Sequence, residues 1–143
     1  KEDFLFLSGD IMMNFDVAKF IDWHQQKKDA AASLVVHSTD HPHDSDLVET
    51  DKEDSVTSLL LMPHAKNPDS QSLGISSVSI LSPEVFLHIP KGRKSGFEKD
   101  VLPSLINSGR KVNAYNTSEY IKDMGTPERL EKVNQDYLTW QSS

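Results

Sequence analysis

Four apolar residues in a row, Phe4-Leu5-Phe6-Leu7, stop abruptly at Ser8-Gly9-Asp10. A short run with no polar break is the pattern of a strand covered on both faces, and such strands belong to sheets sandwiched between helices. The chain therefore reads as α/β from its first residues, with an acid at the end of a central strand. Helical and strand patterns then interleave. Asn14 or Asp16 can cap a helix that places Val17, Phe20, Ile21 and His24 on one face. Residues 31–37, 47–50 and 56–61 read as strands, the last two forming a hairpin around Asp51-Lys52-Glu53-Asp54. Residues 64–72 read as a loop and 74–81 as a strand.

Ser82-Pro83-Glu84 supplies a capping hydroxyl, a proline suited to the first turn and an acid favoured by the helix dipole, so a short helix follows. Phe97, Val101, Leu102, Leu105 and Ile106 recur at helical spacing until Gly109, with Pro103 kinking that helix or opening a new turn. Residues 111–115 form a further strand, Tyr120 to Lys122 lead to Asp123, and Thr126-Pro127-Glu128 opens a helix with Leu130, Val133, Tyr137 and Trp140 on one side. The expected fold is a mostly parallel, Rossmann-like sheet with flanking helices and a β-hairpin, in one domain over residues 1–143.

Composition narrows the function classes. A formal net charge of −7 argues against a phosphate-backbone binder, so no nucleic-acid partner is expected. No apolar run approaches the roughly 20 residues that cross a bilayer, and no membrane partner is expected. The absence of cysteine excludes disulfides, thiolate catalysis and cysteine-based zinc sites, and a cytoplasmic location is the expectation.

Asp10 and Asp123 each follow a strand-like run, and in open α/β sheets ligands gather beyond the carboxyl ends of strands. Taken alone, each is equally a turn acid. Two carboxylates can share one Mg2+, which takes oxygen ligands from one or two acids plus substrate phosphates. His37, His41 and His43, interleaved with Asp40 and Asp44, contain metal-ligand chemistry, but Pro42 and the polar surroundings favour a solvated loop. Trp23, Tyr137 and Trp140 fall on helical faces, where packing is favoured over base stacking.

The strings Leu7-Ser8-Gly9-Asp10, residues 97–103 (FEKDVLP) and residues 120–130 (YIKDMGTPERL) stand in the order and spacing of the sugar-phosphate nucleotidyltransferases. The chain most resembles the heptose and mannose 1-phosphate guanylyltransferase branch. Residues 41–47 (HPHDSDL) are similar to nucleotidyltransferase domains fused to a heptose bisphosphate phosphatase.

The resemblance implies Asp10 and Asp123 as catalytic Mg2+ ligands, with Gly9, Glu98 and Lys99 near the substrate. It also implies attack of a sugar 1-phosphate on the α-phosphorus of a nucleoside triphosphate, with release of pyrophosphate. The product would be a nucleotide sugar for lipopolysaccharide or polysaccharide assembly, and a homo-oligomer or fused phosphatase domain is compatible with the pattern. Glu98 and Lys99 read equally as a solvated charge pair early in a helix.

Three departures qualify this picture. The Gly-rich nucleotide loop of the family is absent, so roughly its first hundred residues are expected to be missing, and the chain alone is expected to be inactive. Leu61-Met62-Pro63 stands where relatives have Glu-Lys-Pro, and Ile75-Ser76-Ser77 where they have Asn-Ala-Gly. A noncatalytic binding or regulatory module and a metal-dependent glycosyltransferase are the alternatives.

Overall fold

The computed structural model describes residues 2–39, 42–64 and 72–141. In chain order the elements are β1 (Phe4–Leu7), β2 (Ile11–Asn14), α1 (Val17–Gln26), β3 (Ala30–His37), β4 (Leu47–Thr50), β5 (Val56–Leu60) and β6 (Leu73–Leu81). They continue with α2 (Leu102–Asn107), β7 (Lys111–Asn116), β8 (Tyr120–Asp123) and α3 (Pro127–Gln141). The main sheet has the order β5-β4-β6-β3-β7, with β1 also paired to β6, while β2 and β8 form a separate two-stranded ribbon.

The α/β architecture is as expected, with two corrections. Among the described residues parallel pairing is confined to β3–β7, and β6 lies between β3 and β4 and runs opposite to both. The Phe4–Leu7 strand forms, but Leu5, Phe6 and Leu7 are 38%, 38% and 41% exposed. Among the described residues it pairs along one edge, to β6.

The edge of β6 facing away from β3 is split. β1 occupies its C-terminal part, Phe4 opposite Leu81 through Leu7 opposite Val78. β4 takes its start, with Leu47 opposite Gly74 and Val48 opposite Leu73. Between them, Ser8 N–H donates to the Ser77 carbonyl at 3.1 Å, and Ile75 N–H donates to the Asp46 carbonyl at 2.9 Å. Residues 75–77 therefore floor a notch between the end of β1 and the start of β4.

Side-chain alternation along β3 divides the core. Leu34 and Val36 face α2 with Val101, Leu102 and Leu105. Val35 faces the opposite side with Phe20, Val78, Ile80 and Tyr115, onto which Ile11, Met13 and Ile121 of the ribbon pack. Phe20 is fully buried, its ring 5.3 Å from that of Tyr115 and 5.9 Å from that of Phe15. Asp16 caps α1 by accepting the Lys19 N–H at 3.0 Å. Beneath the helix, His24 Nδ1 lies 2.7 Å from Ser33 Oγ and Nε2 lies 3.1 Å from Asp3 Oδ2, which satisfies a buried imidazole.

Pro103 opens a new helix, as one of its two readings anticipated: a π-turn over Phe97–Val101 leads into α2, with the proline in the first turn. The expected 64–72 loop falls largely outside the described residues, as do Asp40 and His41. No helix among the described residues is long and apolar enough to cross a membrane.

The aromatic packing around Phe20 generates a stability prediction. Phe20→Ala empties a fully enclosed position and should cost about 3–5 kcal/mol in urea unfolding, whereas Ile21→Ala on the exposed side of α1 should stay within about 1 kcal/mol.

Candidate functional site

An open cleft of about 1770 Å³ runs from the notch in the main sheet to the ribbon and α3. Its floor is Ile75, Ser76 and Ser77, its one side Ser45 and Asp46, and its far wall Asp123, Arg129 and Lys132. The ribbon brings the two predicted acids together. Ile11 pairs with Asp123, so Asp10, one residue earlier, stands at the same end of the ribbon, and its carbonyl accepts the Met124 N–H at 2.7 Å.

Both carboxylates turn toward Gly125. A methyl group at that position would sit 3.2 Å from Asp123 Oδ1 and 3.6 Å from Asp10 Oδ2. Asp123 Oδ1 accepts the Gly125 N–H at 2.7 Å and an Arg129 guanidinium N–H at 3.0 Å. Two exposed carboxylates converging on a space kept clear by a glycine are a donor set of the oxygen type that a hard divalent cation takes, and could hold one together with substrate oxygens. Among the described residues no cluster of three or more His, Asp or Glu side chains meets the geometry of an all-protein metal site.

The remaining predicted residues are distributed unevenly. Gly9 is exposed in the turn between two cleft residues, Ser8 and Asp10, with open space where a side chain would be. Glu98, on the π-turn, is half-buried and lines the cleft; Lys99 beside it is exposed and stands outside the lining. His37 and Asp44 line the cleft, and His43 is exposed outside it. Trp23 packs against Tyr115 at 5.1 Å and Trp140 against Tyr120 at 4.4 Å, so both serve packing.

Sequence reasoning missed three groups. Asp46 accepts the Met62 N–H through its side chain at 2.7 Å and the Ile75 N–H through its own carbonyl, so one residue ties together both altered motifs. Arg129 orients Asp123. Asp136 gathers the Tyr120 hydroxyl at 2.7 Å, Lys122 Nζ at 3.4 Å and Lys132 Nζ at 3.3 Å. The Asp46 signal was open to inspection in the HPHDSDL string; those of Arg129 and Asp136 were not, because an acid or arginine on a polar helix face looks solvated until the partner strand is placed.

Electrostatics follow from these contacts. The Tyr120 hydroxyl, reinforced by Lys132 and Lys122, holds the Asp136 carboxyl below its ordinary range. Burial, and then the Asp136 carboxylate, pushes the Tyr120 phenol far up, so it remains a donor. At the start of α3, Glu128 is lowered by its own backbone N–H and the Thr126 hydroxyl.

A split-edge sheet facing paired carboxylates across a polar cleft makes this an α/β domain with a concave surface of the kind in which ligands bind. The profile of the family described as nucleotidyl transferase matches residues 1–139, and the chain belongs to that family. It is 31% identical over 143 residues to a glucose-1-phosphate adenylyltransferase of Bacillus cereus, covering 97% of this chain and 38% of the relative. It is 28% identical over 132 residues to a mannose-1-phosphate guanylyltransferase of Mycobacterium tuberculosis, covering 92% and 36%. The crystal structure of HddC from Yersinia pseudotuberculosis complexed with GMP-PN superposes with a TM-score of 0.67 at 25% identity, covering 94% of this chain and 55% of that one. The chain thus spans little more than a third of the length of these curated relatives.

The Asp136 network sets a pH dependence. Its carboxyl titrates lower when folded, so its stabilisation is complete above the ordinary carboxylate range, about pH 4, and is lost as pH falls through the folded value. Asp136→Asn should lower the urea midpoint near neutrality, and the gap to wild type should close on acidification below that range.

Proposed function

We propose that this chain is the sugar- and metal-binding part of a sugar-1-phosphate nucleotidyltransferase, which joins a nucleoside triphosphate to a sugar 1-phosphate and releases pyrophosphate. The observation that carries this reading is the convergence of Asp10 and Asp123 on Gly125 at the mouth of the cleft. Family membership supports it, as do the sugar-1-phosphate substrates in the names of the relatives.

In this reading Asp10 and Asp123 would hold Mg2+, whose chemistry there would be to neutralise phosphate charge. Arg129 fixes the Asp123 carboxylate and keeps one of its oxygens occupied, leaving the other and the Asp10 carboxylate to bind. Glu98, which lines the cleft, would accept sugar hydroxyls, and Gly9, with open space where a side chain would be, would let the chain turn closely past the substrate. The reaction needs alignment rather than a covalent protein intermediate, and the notch provides the alignment.

For the base and sugar we favour guanylyl transfer to a heptose or mannose type sugar, supported by the resemblance of the motifs and by the similarity to HddC, solved with GMP-PN. Adenylyl transfer to glucose 1-phosphate is the second reading, favoured by the 31% identity to the Bacillus cereus relative. A cytoplasmic site of action goes with substrates of this class.

Assay of the full-length protein for pyrophosphate release, with each triphosphate paired against mannose, heptose and glucose 1-phosphates, tests the proposal. Turnover should be magnesium-dependent, and Asp10→Asn and Asp123→Asn should each lower kcat on the order of a hundredfold or more, since a metal ligand contributes several kcal/mol. No pyrophosphate from any pair would sink the proposal in favour of a noncatalytic module.

A further inference from the structure

The cleft is acidic, yet every substrate of the proposed reaction is an anion. Seven Asp or Glu residues line it, against three Lys or Arg residues among the described residues: Lys122, Arg129 and Lys132. All three cations belong to β8 or α3, so positive charge is confined to one wall. Arg129 is engaged with Asp123. Lys122 and Lys132 stand apart from that pair and share a different acid, Asp136, so they make up a separate cationic edge.

Their placement follows from the ribbon. Ile121 points into the core beneath β8, so its neighbours Tyr120 and Lys122 project from the opposite face, toward α3. On α3, Lys132 lies three residues beyond Arg129 and shares its face. Asp136 completes the arrangement: its Oδ2 takes the Tyr120 hydroxyl and lies 3.4 Å from Lys122 Nζ, and its Oδ1 lies 3.3 Å from Lys132 Nζ.

A single carboxylate thus already bridges the two ammonium groups. Each ammonium carries three donors, so Asp136 leaves donors on both unspent, and two cations against one carboxylate leave a positive surplus. Both side chains also keep access to solvent, at 45% and 60% exposure.

We infer that Lys122 and Lys132, held at the cleft wall by Asp136, form the edge that receives a substrate phosphate group. The inference rests on the proposed reaction for the identity of that substrate, though not for the edge itself. The phosphate belongs either to the sugar 1-phosphate or to the triphosphate and its pyrophosphate product. Lys122 and Lys132 are binding residues, and Asp136 is a positioning residue acting through them.

The test is steady-state kinetics of the full-length protein carrying Lys122→Ala or Lys132→Gln, with KM measured separately for each substrate. Loss of a charged hydrogen bond should raise one KM about ten- to hundredfold, in variants that still unfold in one cooperative transition, with Lys122→Arg restoring most of the loss. A rise confined to the sugar 1-phosphate assigns the edge to the sugar, and one confined to the triphosphate assigns it to the pyrophosphate moiety; either supports the inference. Unchanged KM values in an active enzyme overturn it while leaving the proposed reaction intact. Should the wild type turn over no substrate pair, calorimetric titration with magnesium pyrophosphate and with mannose 1-phosphate decides. Weaker binding of either by both variants upholds the edge, and wild-type affinity, or no binding of either by the wild type, overturns it.

Discussion

The site depends on an obligation that the backbone of β6 cannot meet in one way. A nine-residue strand exposes a row of donors and acceptors along each edge, and buried ones must be paired. β3 pairs along most of one edge. On the other, β1 and β4 each pair with one end, and the gap is closed by single hydrogen bonds from Ser8 to Ser77 and from Ile75 to Asp46. The notch is therefore a direct result of two short strands sharing one long one, and its floor is backed by a fully buried β3 core. Where the β3–β6 register shifts between Leu34 and Val36, the Ser76 hydroxyl donates to the Val35 carbonyl at 2.9 Å and satisfies the group the irregularity would strand.

Charge is then distributed over this frame with a clear polarity. The main-sheet side of the cleft contributes Asp44, Asp46 and Glu98, and the ribbon end contributes Asp10 and Asp123. Among the described residues the cations of the cleft come from β8 and α3, each held by an acid from α3 or the ribbon. Two carboxylates brought to one end of the ribbon form a set of oxygen donors, which is the physical basis for reading that end as a divalent-cation position.

Much of this was legible in the chain. The caps at Asp16 and Ser82, the hairpin across residues 51–54 and the stop at Gly109, whose φ of 75° suits glycine, are local chemistry and appear where local rules place them. The β2 strand was not foreseen, because Ile11-Met12-Met13-Asn14 lacks alternation and follows a turn signal that reads as a strand end. Strand order was equally hidden. Nothing in Phe4–Leu7 or Leu73–Leu81 states that they pair antiparallel, since such pairing is a long-range choice set by core packing. For the site, the acids at 10 and 123 were readable as candidates, but their meeting at Gly125 needed the ribbon register, and the lysine edge needed the knowledge of which face of β8 the core had taken.

The two sheets divide the geometry of the cleft between them. The separation of Asp10 from Asp123 is set within the ribbon, by the pairing of Ile11 with Asp123 and the Met124 to Asp10 hydrogen bond. The length of the notch is set within the main sheet, by the stretch of β6 left between Leu7 opposite Val78 and Leu47 opposite Gly74. The carboxylate pair therefore works as a gauge whose setting does not pass through Asp46, so a change at Met62 or Ile75, the two residues that Asp46 ties together, reaches the notch without passing through the hydrogen bonds that space the acids.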